Sequence, residues 1–350
     1  MTAIVIAPDA LRGFAADLLE RSGFTAAEAQ EMANLLLWAN LRGVDSHGVL
    51  RIPRYAEMLK LGLVRSDAQM TELHRTGAIC VLDAGRAPGA TAMNRAVGVA
   101  TDLAARFGLG WCSVRGTSHA GAIGYFVQQL ADRGLIGIAM TASKPLMTYH
   151  GAKGEALSSN PLAIAVPQSQ DRPAIILDMS TAAVALGKIM AARDAGKTIP
   201  EGWGVDADGA ATTDPNAVAA VLPMAGAKGS GLSLMIEILC SLLAGAPNIA
   251  PALIDGTVGD FNGMVLAVDP AAFGDRDLFL TQVGVLADAI HALPPAPGFT
   301  SVLLPGERGH QTEALRSRDG VPVPIGTVNR LTALAREIGA IIPDAFRQAV

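Results

Sequence analysis

The sequence predicts an α/β fold with a helical N-terminal region. Three observations carry this reading. Apolar positions recur at helical spacing over the first part of the chain, and from residue 78 onward short apolar runs alternate with helical stretches. Half of the 350 residues are apolar and only 17% are Asp, Glu, Lys or Arg, enough apolar surface to offset the entropy of ordering the chain. Disordered and fibrous classes are excluded. The length exceeds the roughly 250 residues at which single cores stop growing, so more than one packed unit is expected.

The elements follow in order. Thr25 and Glu28 form a capping box ahead of Met32, Leu35, Leu36 and Ala39, which share one helical face. A basic, histidine-containing turn covers 42–54 and is interrupted by Pro53. Then come a strand over 79–82, a helix over 89–107, a strand over 109–114, a helix over 123–133 and a strand over 135–141. Strands over 162–166 and 175–178 precede a helix around 182–192. Asp214 before Pro215 predicts an N-cap and first-turn proline for another helix. Gly226, Gly229 and Gly231 break the chain ahead of an apolar helix over 232–243. A strand over 264–268, a helix over 278–291, a Pro-rich stretch at 293–297 and a terminal helix over 328–338 complete the reading. There is no internal repeat and no low-complexity tract.

Charge and composition narrow the partners. With 27 basic and 32 acidic residues the net charge is -5, which offers no field for nucleic acid or anionic lipid. The apolar stretches 135–142 and 231–246 are too short or too interrupted to span a bilayer, and 3–7 is too short for a signal-peptide core. Cys80, Cys112 and Cys240 are odd in number and far apart, with no CxxC pair. A cytoplasmic protein with neither a disulfide framework nor a metal site is expected. No GxGxxG, HExxH or GxSxG occurs, and Gly196-Lys197-Thr198 lacks the leading glycine of a phosphate loop.

Three constellations remain. In Asp45-Ser46-His47-Gly48 with Arg51, a helix starting here puts His47 and Arg51 on one face. An imidazole exchanges a proton near neutral pH, and a guanidinium grips a carboxylate bidentately. The same residues also suit a helix cap, a surface imidazole and a solvated charge. Gly116-Thr117-Ser118-His119-Ala120-Gly121 lies between a strand and a helix, where ligands bind at the carboxyl edge of a sheet, although His119 can equally cap that helix. Gly226-Ala227-Lys228-Gly229-Ser230-Gly231 sets a lysine at a helix N-terminus that favours an anion; a plain glycine loop reads the same way. Ser143, Lys144, Ser158, Ser159 and Asn160, and the run Asp178-Met179-Ser180-Thr181, sit at strand ends and suit turn chemistry as well as binding.

Taken in order, the segments 41–55 (LRGVDSHGVLRIPRY), 116–126 (GTSHAGAIGYF), 158–167 (SSNPLAIAVP), 177–189, 199–215, 222–239 and 303–308 (LLPGER) resemble the malate/L-lactate dehydrogenase family. That family includes ureidoglycolate and sulfolactate dehydrogenases, diketogulonate reductase and cyclic imino-acid reductases. The resemblance implies a nicotinamide-binding fold of the L-sulfolactate dehydrogenase-like type, unlike the Rossmann fold. It also implies an NAD- or NADP-dependent oxidoreductase interconverting a small 2-oxo acid and its 2-hydroxy acid, and a homodimer. His119 matches the acid/base of the ureidoglycolate-type members, and His47 the proton donor proposed for the diketogulonate-type members. Arg51 matches a carboxylate-binding arginine, with Ser46 and Asn160 nearby. Ser143, Asp178, Met179, Ser180, Lys228, Gly306 and Glu307 match cofactor-contacting positions. The implied division is a helical region 1–75 packing with 312–350, a central α/β domain of 76–115 and 225–311, and a cofactor-binding domain 116–224. Two departures bear on the substrate: Ala120 stands where many relatives carry an aromatic, and Lys144 where many have an acidic or small hydroxyl residue. An added cation suits a second anionic group, as in malate or sulfolactate. The resemblance extends to reduction of cyclic imino acids, with His150-Gly151-Ala152 at 150–152. A rival of another class is a non-catalytic module on the same fold.

Overall fold

The structure, a computed structural model, describes residues 3–169, 172–194, 196–254, 256 and 260–347. Strand β1 (Ala3–Ile6) leads into α1 (Pro8–Arg21), which starts on a first-turn proline, and α2 (Ala26–Leu41). The capping box forms as expected: Glu28 N–H donates to Thr25 Oγ1 at 3.3 Å, and Thr25 N–H donates to Glu28 Oε2 at 3.0 Å. Helix α2 buries Met32, Leu35, Leu36, Leu37 and Trp38, so it is apolar on more than one face and runs through the interior. The chain then makes two 3-10 turns, Asp45–His47 and Val49–Arg51, before α3 (Ile52–Lys60). The single helix expected to carry His47 and Arg51 does not form, because Gly48 is extended between the turns (φ -88, ψ -156).

The central sheet is built from β2 (Thr71–Thr76), β3 (Ile79–Asp83), β4 (Leu109–Thr117), β5 (Ile136–Ala142), β6 (Leu162–Val166), β7 (Ile175–Met179) and, from later in the chain, a further strand at Phe261–Val268. Helix α4 (Gly89–Phe107) links β3 to β4, and α5 (Gly124–Ala131) links β4 to β5. Within this sheet β3 and β4 pair in parallel while the other neighbours run antiparallel, and the late strand inserts antiparallel between β4 and β5. Such a mixed sheet has no doubly wound dinucleotide crevice, in keeping with the missing glycine fingerprint.

Beyond β7 lie α6 (Leu186–Asp194) and a small antiparallel sheet of β8 (Gly204–Val205), β9 (Ala211–Thr212) and β10 (Ala220–Val221). The helix expected after Asp214 is absent. Asp214 accepts the Asn216 N–H at 2.9 Å, a local turn, because β10 begins too soon for a helix. The helix expected at 182–192 starts later, since Ala182 bridges Pro223 and Ala183 N–H donates to Leu222 O. Helix α7 (Ala227–Glu237) begins earlier than expected and contains Gly229 and Gly231; a Cβ on Gly229 would lie 2.4 Å from Met224 O, so this glycine serves close packing inside the helix. One π-helical turn, Ile238–Leu242, extends it.

The remaining elements are α8 (Ala250–Ile254), β11 (Phe261–Val268), α9 (Arg276–His291), α10 (Glu307–Asp319), β12 (Val321–Pro324), α11 (Ile325–Ile338) and α12 (Asp344–Arg347). Strand β12 pairs antiparallel with β1. One apolar core runs from Leu18 and Leu36 through Ile52, Met93 and Leu103 to Phe126 and Val328, and a second gathers Met147, Leu157, Ile189, Ile199 and Val221. Among the described residues no helix is long and apolar enough to cross a membrane.

Candidate active site

The two 3-10 turns, the start of α3 and the loop after β4 bring four side chains together. The His47 and His119 rings lie 5.7 Å apart between centroids and 18° from parallel. Tyr55 Oη is 2.8 Å from His119 Nδ1, and Phe261 at the start of β11 presents itself edge-on to His119 at 6.4 Å. Arg51 spends its Nε on Ser46 O at 2.8 Å, and among the described residues nothing engages its two terminal nitrogens. Ser46 Oγ is 2.9 Å from His47 Nδ1.

Neighbours outside these turns set this geometry. Asn40, at the end of α2, accepts the Val49 N–H at 2.9 Å through Oδ1 and donates to Asp45 Oδ1 at 2.6 Å through Nδ2. Arg316 of α10 grips both Asp45 oxygens at 2.7 and 3.1 Å and also reaches Asn40 O. The His119 loop is held from below by Gly89 N–H, which donates to Ser118 Oγ at 2.9 Å. A Cβ on Gly89 would lie 2.4 Å from His119 O, so α4 starts directly against the backbone of that loop. Asp178 at the end of β7 accepts the Gly124 N–H at 2.9 Å and so fixes the start of α5.

The electrostatics keep both imidazoles uncharged. Desolvation, then the positive charge that His47 would carry and that of Arg51, hold His119 down at about 3. Desolvation and Arg51 hold His47 at about 4. Burial pushes the Tyr55 phenol up to about 12 despite the opposing pull of Arg51. Crowding by protein atoms raises Asp178 to about 6, although its side chain still meets solvent; the Gly124 N–H and Arg42 favour its charged form.

The other residues singled out from the sequence do not all sit with this cluster. Ser143 Oγ lies 2.7 Å from Ser158 Oγ. Asn160 is fully buried, donates Nδ2 to Ser233 O of α7 at 3.0 Å, and among the described residues leaves Oδ1 without a partner. Lys144 and Lys228 are exposed. Met179 pairs with Leu162 across β6 and β7, and Ser180 Oγ accepts the Ala182 N–H in a local turn. Gly306 has φ +88 and packs on the Ile176 backbone, where a Cβ would come within 2.8 Å of Ile176 O. Glu307 turns its carboxylate to Leu304 N–H and to His291 Nε2. Tyr55, Asn40, Phe261 and Arg316 were not singled out from the sequence. Tyr55 lies within one of the resembling segments, whereas Arg316 carries no local signal.

A nicotinamide dinucleotide needs a place for its phosphates, and α7 offers one. No side chain caps this helix, Gly226 precedes it with φ +62, and exposed Lys228 lies in its first turn. The fully buried, unpartnered Asn160 Oδ1 is bound through its amide to the same helix. These residues fit the group. Among the described residues no three His, Cys, Asp or Glu side chains gather as a metal site.

Comparison with known proteins places the chain. Residues 6–332 match the model of the family described as malate/L-lactate dehydrogenase. A ureidoglycolate dehydrogenase (NAD(+)) of Escherichia coli O157:H7 is 36% identical over 292 residues, covering 82% of this chain and 83% of the relative. A (2R)-3-sulfolactate dehydrogenase (NADP(+)) of Chromohalobacter salexigens is 34% identical over 325 residues, covering 91% and 94%. The solved structure of sulfolactate dehydrogenase from Methanocaldococcus jannaschii superposes with a TM-score of 0.87 at 31% identity, covering 96% of this chain and 98% of that one. A family model spanning nearly the whole length, a relative above one-third identity and a shared non-Rossmann architecture agree: the chain belongs to the malate/L-lactate dehydrogenase family.

Proposed function

We propose that the protein is an NAD(P)-dependent 2-hydroxyacid dehydrogenase that interconverts a small 2-oxo acid and its 2-hydroxy acid, with Arg51 holding the carboxylate and His119 exchanging the proton. The observation that carries this reading is the stacked His47–His119 pair beside the unengaged terminal nitrogens of Arg51, in a chain of this family. The bound nicotinamide supplies the hydride donor or acceptor at its C4. The chain's own residues do the rest. The Arg51 fork is free to take a carboxylate bidentately, which orients the neighbouring carbonyl carbon.

Proton transfer follows from the same charge. In the free protein Arg51 disfavours a proton on either ring. A bound carboxylate neutralises Arg51, and negative charge developing on the substrate oxygen then favours an imidazolium at His119. Two stacked imidazolium rings repel, so the pair carries one proton at a time, and His47 acts as the neutral partner that Ser46 orients. Ser143, Asp178, Met179, Ser180, Lys228, Gly306 and Glu307 are assigned to the cofactor, with Lys228 and the α7 N-terminus toward its phosphates. Asn160 and Ser46 border the substrate, and exposed Lys144 favours a substrate with a second anionic group.

Two further assignments belong to this reading. The α7 continuation exposes Leu242 and Leu243, and α9 exposes Leu278, Val285 and Leu286, apolar surface suited to a homodimer. Sedimentation at micromolar concentration tests that. Three buried free thiols suit a reducing, cytoplasmic setting.

The deciding experiment follows NADH and NADPH oxidation by the purified protein with pyruvate, oxaloacetate, sulfopyruvate and cyclic imines such as piperideine-2-carboxylate. Turnover of a 2-oxo acid is expected; turnover of cyclic imines alone would replace this reading with imino-acid reduction. Failure of either nucleotide to raise the melting temperature would favour a non-catalytic module, since a ligand at about 100 times its Kd stabilises by about 2.7 kcal/mol. Lys144→Ala should cost activity on oxaloacetate and sulfopyruvate while sparing pyruvate. Equal losses on all three would remove Lys144 from substrate selection.

A further inference from the structure

We infer that Tyr55 is the positioning residue of His119: its hydroxyl donates to Nδ1 of the neutral ring, turns to accept the Nδ1 proton of the imidazolium, and so keeps Nε2 for the substrate. The inference rests on His119 as the proton-exchanging residue.

The donor assignment follows from Gly121. Its backbone N–H points at His119 Nδ1 from 3.3 Å and can only donate, so Nδ1 of the neutral ring carries the lone pair and Nε2 the proton. Tyr55 Oη, 2.8 Å from the same nitrogen, must then donate as well. A second proton, drawn from solvent, makes the ring an imidazolium protonated at both nitrogens; in reduction Nε2 gives its proton to the substrate oxygen and leaves a neutral ring that carries its proton at Nδ1. The Gly121 N–H is fixed by the backbone and cannot reverse, whereas a hydroxyl rotates and becomes an acceptor. Without that hydroxyl a buried N–H of a cation would lack a partner.

The tyrosine is built to stay in place and stay neutral. It lies on α3, is only 7% exposed, and is flanked along the helix by buried Ile52 and Met58. Burial pushes its own ionisation to about 12, so it brings no charge to the site over the working pH range. The titratable and charged groups facing His119 are His47 from the first 3-10 turn, Arg51 from the second and Tyr55 from α3; β11 contributes the uncharged Phe261 ring. Neither His47 nor Arg51 can accept the Nδ1 proton, since Tyr55 and Gly121 occupy that side of the ring. A carboxylate in place of Tyr55 would hold the imidazolium permanently. A phenol holds it only while the substrate demands it.

The test uses the full chain and Tyr55→Phe. The first measurement is kcat and KM against pH in the reductive direction, with melting temperature and nucleotide binding as controls. The variant should keep KM within about twofold, lose about tenfold in kcat near pH 7, and show the alkaline limb of kcat moved about one pH unit lower. A superimposable pH profile, a loss confined to KM, or a uniform loss with no movement of the limb would overturn the inference. The second measurement needs no turnover: histidine-selective 15N spectra of the wild-type protein near pH 7 should show His119 Nδ1 without its proton. A proton on Nδ1 there would overturn the inference even if Tyr55→Phe did not fold. If no substrate is turned over while the spectra show the expected tautomer, the functional reading fails and the hydrogen-bond assignment stands.

Discussion

Gly48→Ala offers the sharpest test of how the His47 turn is held. Gly48 has φ -88 and ψ -156, a conformation open to any residue, so alanine brings no backbone strain. The obstacle is Asn40, whose Oδ1, Cγ and Nδ2 lie 2.2, 2.3 and 2.5 Å from the position of the added methyl. Asn40 is 4% exposed and is tied to the Val49 N–H and to Asp45, so it yields only by giving up both bonds. A neutral hydrogen bond contributes about 1 kcal/mol and one to a charged group about 1.5–3, which puts the cost at roughly 2.5–4 kcal/mol. For a chain of 350 residues that corresponds to a fall in Tm on the order of 3–5 °C. Because His47 is carried on the displaced turn, kcat should drop by about 10²-fold. Differential scanning calorimetry and steady-state kinetics read both effects. Asn40→Ala should show a similar loss, and Gly48→Ala added to it should cost little more, since the methyl then has room. Wild-type Tm and kcat in the Gly48→Ala single variant would refute the reasoning, and so would strictly additive losses in the double variant.

His119→Ala should lower kcat by about 10²- to 10⁴-fold with nucleotide binding retained, as for the loss of a general acid; a near wild-type rate would move that role to His47. Stability should also fall on acidification through these two rings. Their ordinary value is 6.5 and their native values are about 4 and about 3, so below pH 6.5 the unfolded chain binds protons that the native rings refuse. The contribution is complete above pH 6.5 and drains as the pH falls toward 4 for His47 and toward 3 for His119, by at most about 1.4 kcal/mol per unit for each ring and less because both rings are partly exposed. Urea unfolding at pH 7 and pH 5 should show a smaller acid loss in His47→Gln/His119→Gln than in the wild type, and equal losses would contradict the cause given for the shifts.

Elements whose signals are local are legible in the amino-acid sequence alone. The helix Gly89–Phe107 and the strand Leu162–Val166 coincide with their expected bounds, because period and flanking residues mark both ends. The capping box at Thr25 and Glu28 is equally local. Helix α10 is not legible in this way because it buries none of its residues and has no apolar stripe to read; ion pairs from Arg42 to Glu313 and from Arg316 to Asp45 tie it to the rest of the chain. Helix α7 starts earlier than its sequence suggests because glycine is a breaker in isolation, yet the close approach of Met224 O leaves Gly229 no room for a side chain.

Residue types and their ordered segments point to an α/β dehydrogenase family and single out His47, Arg51 and His119, since the ordinary acidity and charge of a side chain belong to its residue type. Folding supplies what distance requires. It puts the two rings 5.7 Å apart, places a tyrosine on one nitrogen of His119, wedges Asn40 behind Gly48 and brings Arg316 onto Asp45 from 271 positions away. Pairings between residues so far apart in the chain leave no periodicity behind, so they exist only once the helices and the sheet have packed.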